Sequence, residues 1–180
     1  SKRKKRVLIP NRTGIEQRPQ QINDRSECGH WEGDTAVSRQ SSAALLVVQE
    51  RALGLTLLSK LSRCAPREFQ QEACRRLAAF PPRLRRSLTL DNGQENRHHE
   101  KIRQTLNIET YFCNPYSSWE KGSVENAVGL TRREWPKKTD YELITDEEIA
   151  KLEYRLNTRP RKRFGFLSPL EYALSVALTL

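Results

Sequence analysis

The sequence predicts an α/β fold, a mixed five-stranded sheet flanked by helices. Three observations carry that expectation. Five short segments, alternating or rich in Leu and Val, sit between Gly, Pro and Asn turns, as strands do. Longer segments repeat apolar residues at steps of three and four, as helices do. Their order is three strands, a helix, a strand, a helix, a strand and then helices.

Ser1 to Glu27 opens the chain as a basic, turn-rich arm or linker, ahead of a core over residues 28–180. It carries eight Lys or Arg against Glu16, Asp24 and Glu27, about half of the chain's net excess. Pro10, Gly14 and Pro19 break any long helix there, so partial order at best is expected. Gly29 to Ser38 reads as the first strand. Alternation puts His30, Glu32, Asp34 and Ala36 on one face and Trp31, Gly33, Thr35 and Val37 on the other. An acid inside a short strand must be solvated, paired or metal-bound. Asp34 is therefore a candidate ligand. Glu32, two residues away, is expected at the rim, second to the ligands or facing solvent.

Ala43 to Glu50 and Leu55 to Leu61 read as a hairpin linked by Arg51 to Gly54. Pro66 to Ala79 follows as a helix with Phe69, Ala73, Leu77 and Phe80 as its stripe, ended by Pro81 and Pro82. Arg85 to Leu90 is a fourth strand running into Asp91-Asn92-Gly93. A carboxylate at a strand's C-terminal end lies at the mouth of an α/β sheet, where ligands bind. The plainer alternative is a turn residue. Gln94 to Thr105 reads as a helix and Ile108 to Phe112 as the fifth strand.

Asn114 to Asp140 begins as a polar turn and continues as an amphipathic helix. Val124, Ala127, Val128, Thr131 and Trp135 line one face, and Lys121, Glu125 and Arg132 an adjacent one. Ser117 with Glu120 has capping-box spacing, so the helix is expected to start near Ser117, or near Ser123 because Gly122 weakens the first turns. One carboxylate between two cations suits a metal ligand beside a phosphate backbone; the alternative is a surface helix with ordinary ion pairs. Thr145 to Leu156 is a further helix with capping-box spacing at Thr145 and Glu148. Asn157 to Arg163 is a basic loop, and Pro169 to Leu178 a closing apolar helix.

The net charge of +10 and a pI near 9.8 point to a polyanionic partner. The longest central aliphatic run, Ala43 to Val48, is too short to span a bilayer, and no signal peptide is expected. The chain holds no methionine, so a fragment or processed product of a longer protein is expected. Cys28, Cys64, Cys74 and Cys113 have no zinc spacing and read as reduced thiols. Adjacent His98 and His99 diverge on a helix and read as surface residues.

Asp34, Asp91 and Glu125 thus fall on a strand, a strand end and a helix. Three such carboxylates suffice for a pair of hard cations. In sequence, GHWEGD at Gly29–Asp34, LTLDNGQE at Leu88–Glu95, YFCNPYSSWEKGSVEN at Tyr111–Asn126 and LNTRPRKRFGFLSPLEY at Leu156–Tyr172 together resemble the catalytic core of DDE transposases and retroviral-type integrases. The insertion-sequence-thirty family of bacterial transposases is the nearest match. Four short motifs in the right order are specific where each alone is weak. Ser118 departs from the proline common in that family.

The resemblance implies a ribonuclease-H-like fold, an acidic triad of Asp34, Asp91 and Glu125, and two Mg2+ ions, with Mn2+ as a substitute. It also implies DNA strand cleavage and strand transfer on double-stranded DNA, in a homodimer or larger assembly, within the bacterial cytoplasm and nucleoid. The family's N-terminal helix-turn-helix region is not expected within residues 1–180, so end recognition is not assigned to them. Lys121 is similar to a basic residue one turn before the family's glutamate. Lys121 and Arg132 are expected on DNA phosphate. The arm residues Lys2, Arg3, Lys4, Lys5 and Arg6, and the loop residues Arg159, Arg161, Lys162 and Arg163, are expected to bind duplex without sequence preference. A purely hydrolytic nuclease or resolvase on the same fold is one alternative, and a non-catalytic DNA-binding transposase remnant another. An RNA-binding protein explains the charge but not the acids.

Overall fold

The computed structural model describes residues 9–115 and 117–177. Its strands are β1 (His30–Val37), β2 (Ala44–Glu50), β3 (Thr56–Leu61), β4 (Ser87–Leu90) and β5 (Glu109–Phe112). Its helices are α1 (Gln20–Asn23), α2 (Pro66–Ala78), α3 (His99–Leu106), α4 (Gly122–Glu134), α5 (Asp146–Thr158) and α6 (Pro169–Ala177). The strands form one mixed five-stranded sheet, as expected from the sequence, and the structure gives their order as β3-β2-β1-β4-β5. The hairpin neighbours are antiparallel, while β1 with β4 and β4 with β5 are parallel.

β2 lies inside the sheet, and all seven of its residues are buried. Period-2 alternation splits them between two cores. Leu46 and Val48 join Trp31, Phe69, Leu77, Leu88, Leu90 and Ile102 beneath α2 and α3. Leu45 and Val47 join Val124, Ala127, Trp135, Ile149 and Leu152 beneath α4 and α5.

Several local expectations give way to tertiary contacts. Gln94 to His98 is a 3-10 stretch, and only from His99 does α3 become α-helical. His99 is not a surface residue. It is buried, with its ring nitrogens on Thr110 Oγ1 and the Pro10 carbonyl. Ser118 to Lys121 is also 3-10, so α4 starts at Gly122. The expected capping box at Ser117 and Glu120 does not form. The Glu120 carboxylate instead accepts from the backbone and side-chain amides of Asn114. The box at Thr145 and Glu148 does form. α5 runs to Thr158, and Asn157 exchanges two hydrogen bonds with the Thr56 backbone at the outer edge of β3. That covers an edge that would otherwise be open to pairing.

Residues 9–27 pack against the opposite edge. Phe112 N–H donates to the Thr13 carbonyl, Gly14 bridges Phe112, and Ile9 and Ile22 are buried. The expected helix to Leu178 is described only to Ala177.

Candidate active site

β1 and β4 run side by side, with Glu32 opposite Thr89. Extending that parallel register by two residues brings Asp34 level with Asp91, just past the end of β4. Asp91 therefore lies just past the end of β4, level with Asp34 in the second half of β1, beyond the last residue of β1 that pairs with β4. Each has one oxygen tied down. Asp34 Oδ1 accepts from Thr35 N–H (2.7 Å). Asp91 Oδ1 accepts from Gly93 N–H and Asn96 Nδ2 (both 2.8 Å). The other two oxygens converge on the ammonium of Lys121, at 3.3 Å for Asp34 Oδ2 and 3.5 Å for Asp91 Oδ2. Lys121 Nζ also donates to the Gly33 carbonyl at 3.2 Å. Lys121 is 2% exposed, so this cation points into the site rather than out of it. Burial alone would lower its pKa; Asp34 and Asp91 outweigh burial, and the net shift is upward.

Within the site, sequence reasoning misplaced Glu32. It is fully buried, not at the rim. Its Oε1 pairs with Arg51 Nη1, and its Oε2 accepts from Val124 N–H at 3.0 Å. Val124 lies in the first turn of α4, whose backbone N–H groups have no partner within the helix. Glu32 thus caps α4 from β1 and fixes where Lys121 and Glu125 stand. The carboxylate also complements the positive end of the helix dipole. Arg51 is locked in turn by the carbonyls of Ile22 and Asn23. The signal available in the sequence was the cost of an acid inside a strand, which requires a partner.

Glu125 sits in the first turn of α4, one turn beyond Lys121, and is half-buried. The structure brings Asp34 and Asp91 together. Among the described residues, no group of three or more His, Cys, Asp or Glu is placed to hold a metal ion. The chemistry of the pair still fits a hard divalent cation, because it offers carboxylate oxygens facing one point. A further acid, Glu95, lies on the opposite sheet face, where it accepts from Thr35 Oγ1 at 3.3 Å. Burial raises its pKa, and Asp91 and Asp34 add to that rise.

The cationic residues divide. Arg159, Arg161, Lys162 and Arg163 line a groove with Arg25 and Arg133, floored by Ser123 and Asn126 of α4. Arg25 Nη2 reaches Ser123 Oγ (3.0 Å), and the Arg163 guanidinium stacks 4.4 Å from the Phe164 ring centroid. Arg25 and Arg133 were not singled out from the sequence, because only the folded chain brings them to the 159–163 loop. Arg132 lies elsewhere, donating to the Val37 carbonyl at the end of β1. Lys2, Arg3, Lys4, Lys5 and Arg6 lie outside the described residues.

No family model matches the chain. The transposase for insertion sequence element IS4351 of Bacteroides fragilis is 38% identical over 171 residues, 95% of this chain. The transposase for IS1086 of Cupriavidus metallidurans is 34% identical over 96% of it. Transposase InsI for IS30A of Escherichia coli is 35% identical over 96% of it. The chain is a homologue of insertion-sequence transposases. It spans about half the length of the curated relatives it matches, 52%, 51% and 45% of these three. The catalytic core domain of BIV integrase superposes with a TM-score of 0.63 at 18% identity, covering 84% of this chain and 97% of that one. A chain of the simian T-cell lymphotropic virus intasome gives 0.58 at 15% identity, over 87% of this chain and 54% of its own. The fold is therefore the ribonuclease-H-like fold of integrase catalytic cores, as the motifs implied. Among the described residues, no helix is long and apolar enough to cross a membrane.

Proposed function

We propose that this chain is the catalytic core of a DDE transposase, cleaving DNA strands and joining them to target DNA by phosphoryl transfer. The observation that carries the proposal is the convergence of Asp34 Oδ2 and Asp91 Oδ2 on one point beside the end of β4. Asp34 and Asp91 would hold Mg2+, and Glu125 would complete the set for two ions from the next turn of α4. Divalent ions held there stabilise charge on the attacking and leaving oxygens of an in-line displacement. The chain's own groups do the rest. Thr35, Gly93 and Asn96 fix the rotamers of the two aspartates. Glu32 fixes the helix that carries Glu125. The groove lined by Arg25, Arg133 and the 159–163 loop runs beside that helix and would hold the backbone of double-stranded DNA. Two element ends must meet during joining, which favours a homodimer or larger assembly on DNA.

The test is a strand-transfer assay with end-bearing duplex oligonucleotides and Mg2+ or Mn2+. Asp34→Asn, Asp91→Asn and Glu125→Gln should each abolish cleavage and joining while the chain stays folded. Near-normal activity in any one of them removes that residue from the triad. Cleavage without joining would mark a nuclease instead.

A further inference from the structure

We propose that Lys121 is an internal counter-cation: it holds the Asp34–Asp91 pair together, yields that position to a divalent ion, and then turns its ammonium to the DNA phosphate. This rests on the metal-dependent reading above and goes beyond it.

Three features of Lys121 carry the inference. First, an ammonium has three donors, and here it meets three acceptors: Asp34 Oδ2, Asp91 Oδ2 and the Gly33 carbonyl. Its place is built, not incidental. Second, those two Oδ2 atoms are the ones that Thr35, Gly93 and Asn96 leave available. A divalent ion would need the same two atoms at about 2.0–2.1 Å, where Mg2+ takes its oxygens. The ammonium stands between them, so lysine and ion compete for one position. Third, Lys121 is able to leave. It ends the 3-10 turn Ser118–Lys121 and precedes Gly122, an exposed glycine that opens α4. The 3-10 turn has weaker hydrogen-bond geometry than an α-helix. Glu32 meanwhile anchors α4 three residues later, at Val124 N–H. The lysine's flexible four-carbon stem can therefore swing while Glu125 keeps its place. A compact point charge released beside the site suits contact with the reacting phosphate.

The experiment uses the full chain and reads binding and accessibility, not turnover. Mn2+ affinity is measured by electron paramagnetic resonance for the wild type, Lys121→Met, Lys121→Arg, Asp34→Asn and Asp91→Asn. In parallel, the wild type is acetylated by a water-soluble amine reagent with and without saturating Mn2+, and labelling is mapped by mass spectrometry. Lys121→Met should bind Mn2+ at least tenfold more tightly than the wild type, and Lys121→Arg should not. Labelling of Lys121 should rise severalfold with Mn2+. Lys60, held by the carbonyls of Glu142 and Ile144 away from the site, should not change. If Asp34→Asn loses Mn2+ but Lys121 labelling stays flat at saturation, the lysine is only structural and the metal reading stands. If Mn2+ binds equally to Asp34→Asn, Asp91→Asn and the wild type, the metal reading fails and the inference fails with it. The labelling arm decides even where Lys121→Met does not fold.

Discussion

Replacing Glu32 by glutamine tests the support of the site without touching the proposed ligands. The substitution nearly keeps shape and leaves an acceptor for Val124 N–H. It removes the charge paired with Arg51, whose guanidinium is buried and otherwise donates to the neutral carbonyls of Ile22 and Asn23. Breaking one member of a buried ion pair costs about 3–5 kcal/mol, because the other charge is left unpaired out of water. In a domain of this size, 1 kcal/mol moves Tm by roughly 2–4 °C. The expected fall is therefore about 6–20 °C, with a matching loss in urea midpoint at unchanged slope. Glu32→Ala also strips the acceptor from Val124 N–H and should cost about 1–3 kcal/mol more. The double variant Glu32→Gln/Arg51→Met should be less unstable than the two single losses combined, since no orphan charge remains. A Glu32→Gln protein within about 1 kcal/mol of the wild type would refute the account of Glu32 as a paired, buried cap.

Other outcomes follow from the same geometry. Removing two groove cations with Arg159→Ala and Lys162→Ala should lower the magnitude of the slope of log affinity against log salt on duplex DNA, by about 0.9 for each phosphate no longer neutralised. An unchanged slope would take the groove out of DNA binding. His30 is buried between Ser87 and Glu27, and burial lowers its pKa more than Glu27 raises it. Its folded pKa thus lies below the unfolded value of about 6.5. The unfolded chain takes the proton first, so stability is intact above that value and falls as pH drops through the window beneath it. His30→Gln should flatten the fall in Tm between neutral pH and mildly acidic pH; an identical fall would acquit the histidine. Gly29 has φ +96°, and a Cβ there would lie 2.8 Å from the Arg83 carbonyl oxygen. Gly29→Ala should cost about 1–3 kcal/mol in urea denaturation, and a neutral result would show that the turn into β1 relaxes freely.

Much of this arrangement was legible in the sequence, and the part that was not has a common cause. The five strands, the hairpin of β2 and β3, and the placing of Asp34 on a strand and Asp91 at a strand end all follow from period, punctuation and chain order. Those signals are local. The misplaced residues depend on partners far along the chain. His99 is buried because Pro10 and Thr110 come to it. Ser117 and Glu120 have the right spacing for a cap, but Asn114 takes the Glu120 carboxylate first. Glu32 and Asp34 show the limit most clearly. Alternation correctly assigns both to one face of β1, and says nothing about depth. α4 crosses that face so that its first turn lands on Glu32, which then needs both Arg51 and Val124 N–H. Two residues on, Asp34 lies beyond the last residue of β1 that pairs with β4, beside Lys121, and its side chain keeps 22% of its surface exposed. One carboxylate is consumed in holding the helix, and the next is left available for chemistry. The division of labour is set by where the helix crosses, a contact spanning 92 residues that no local pattern encodes.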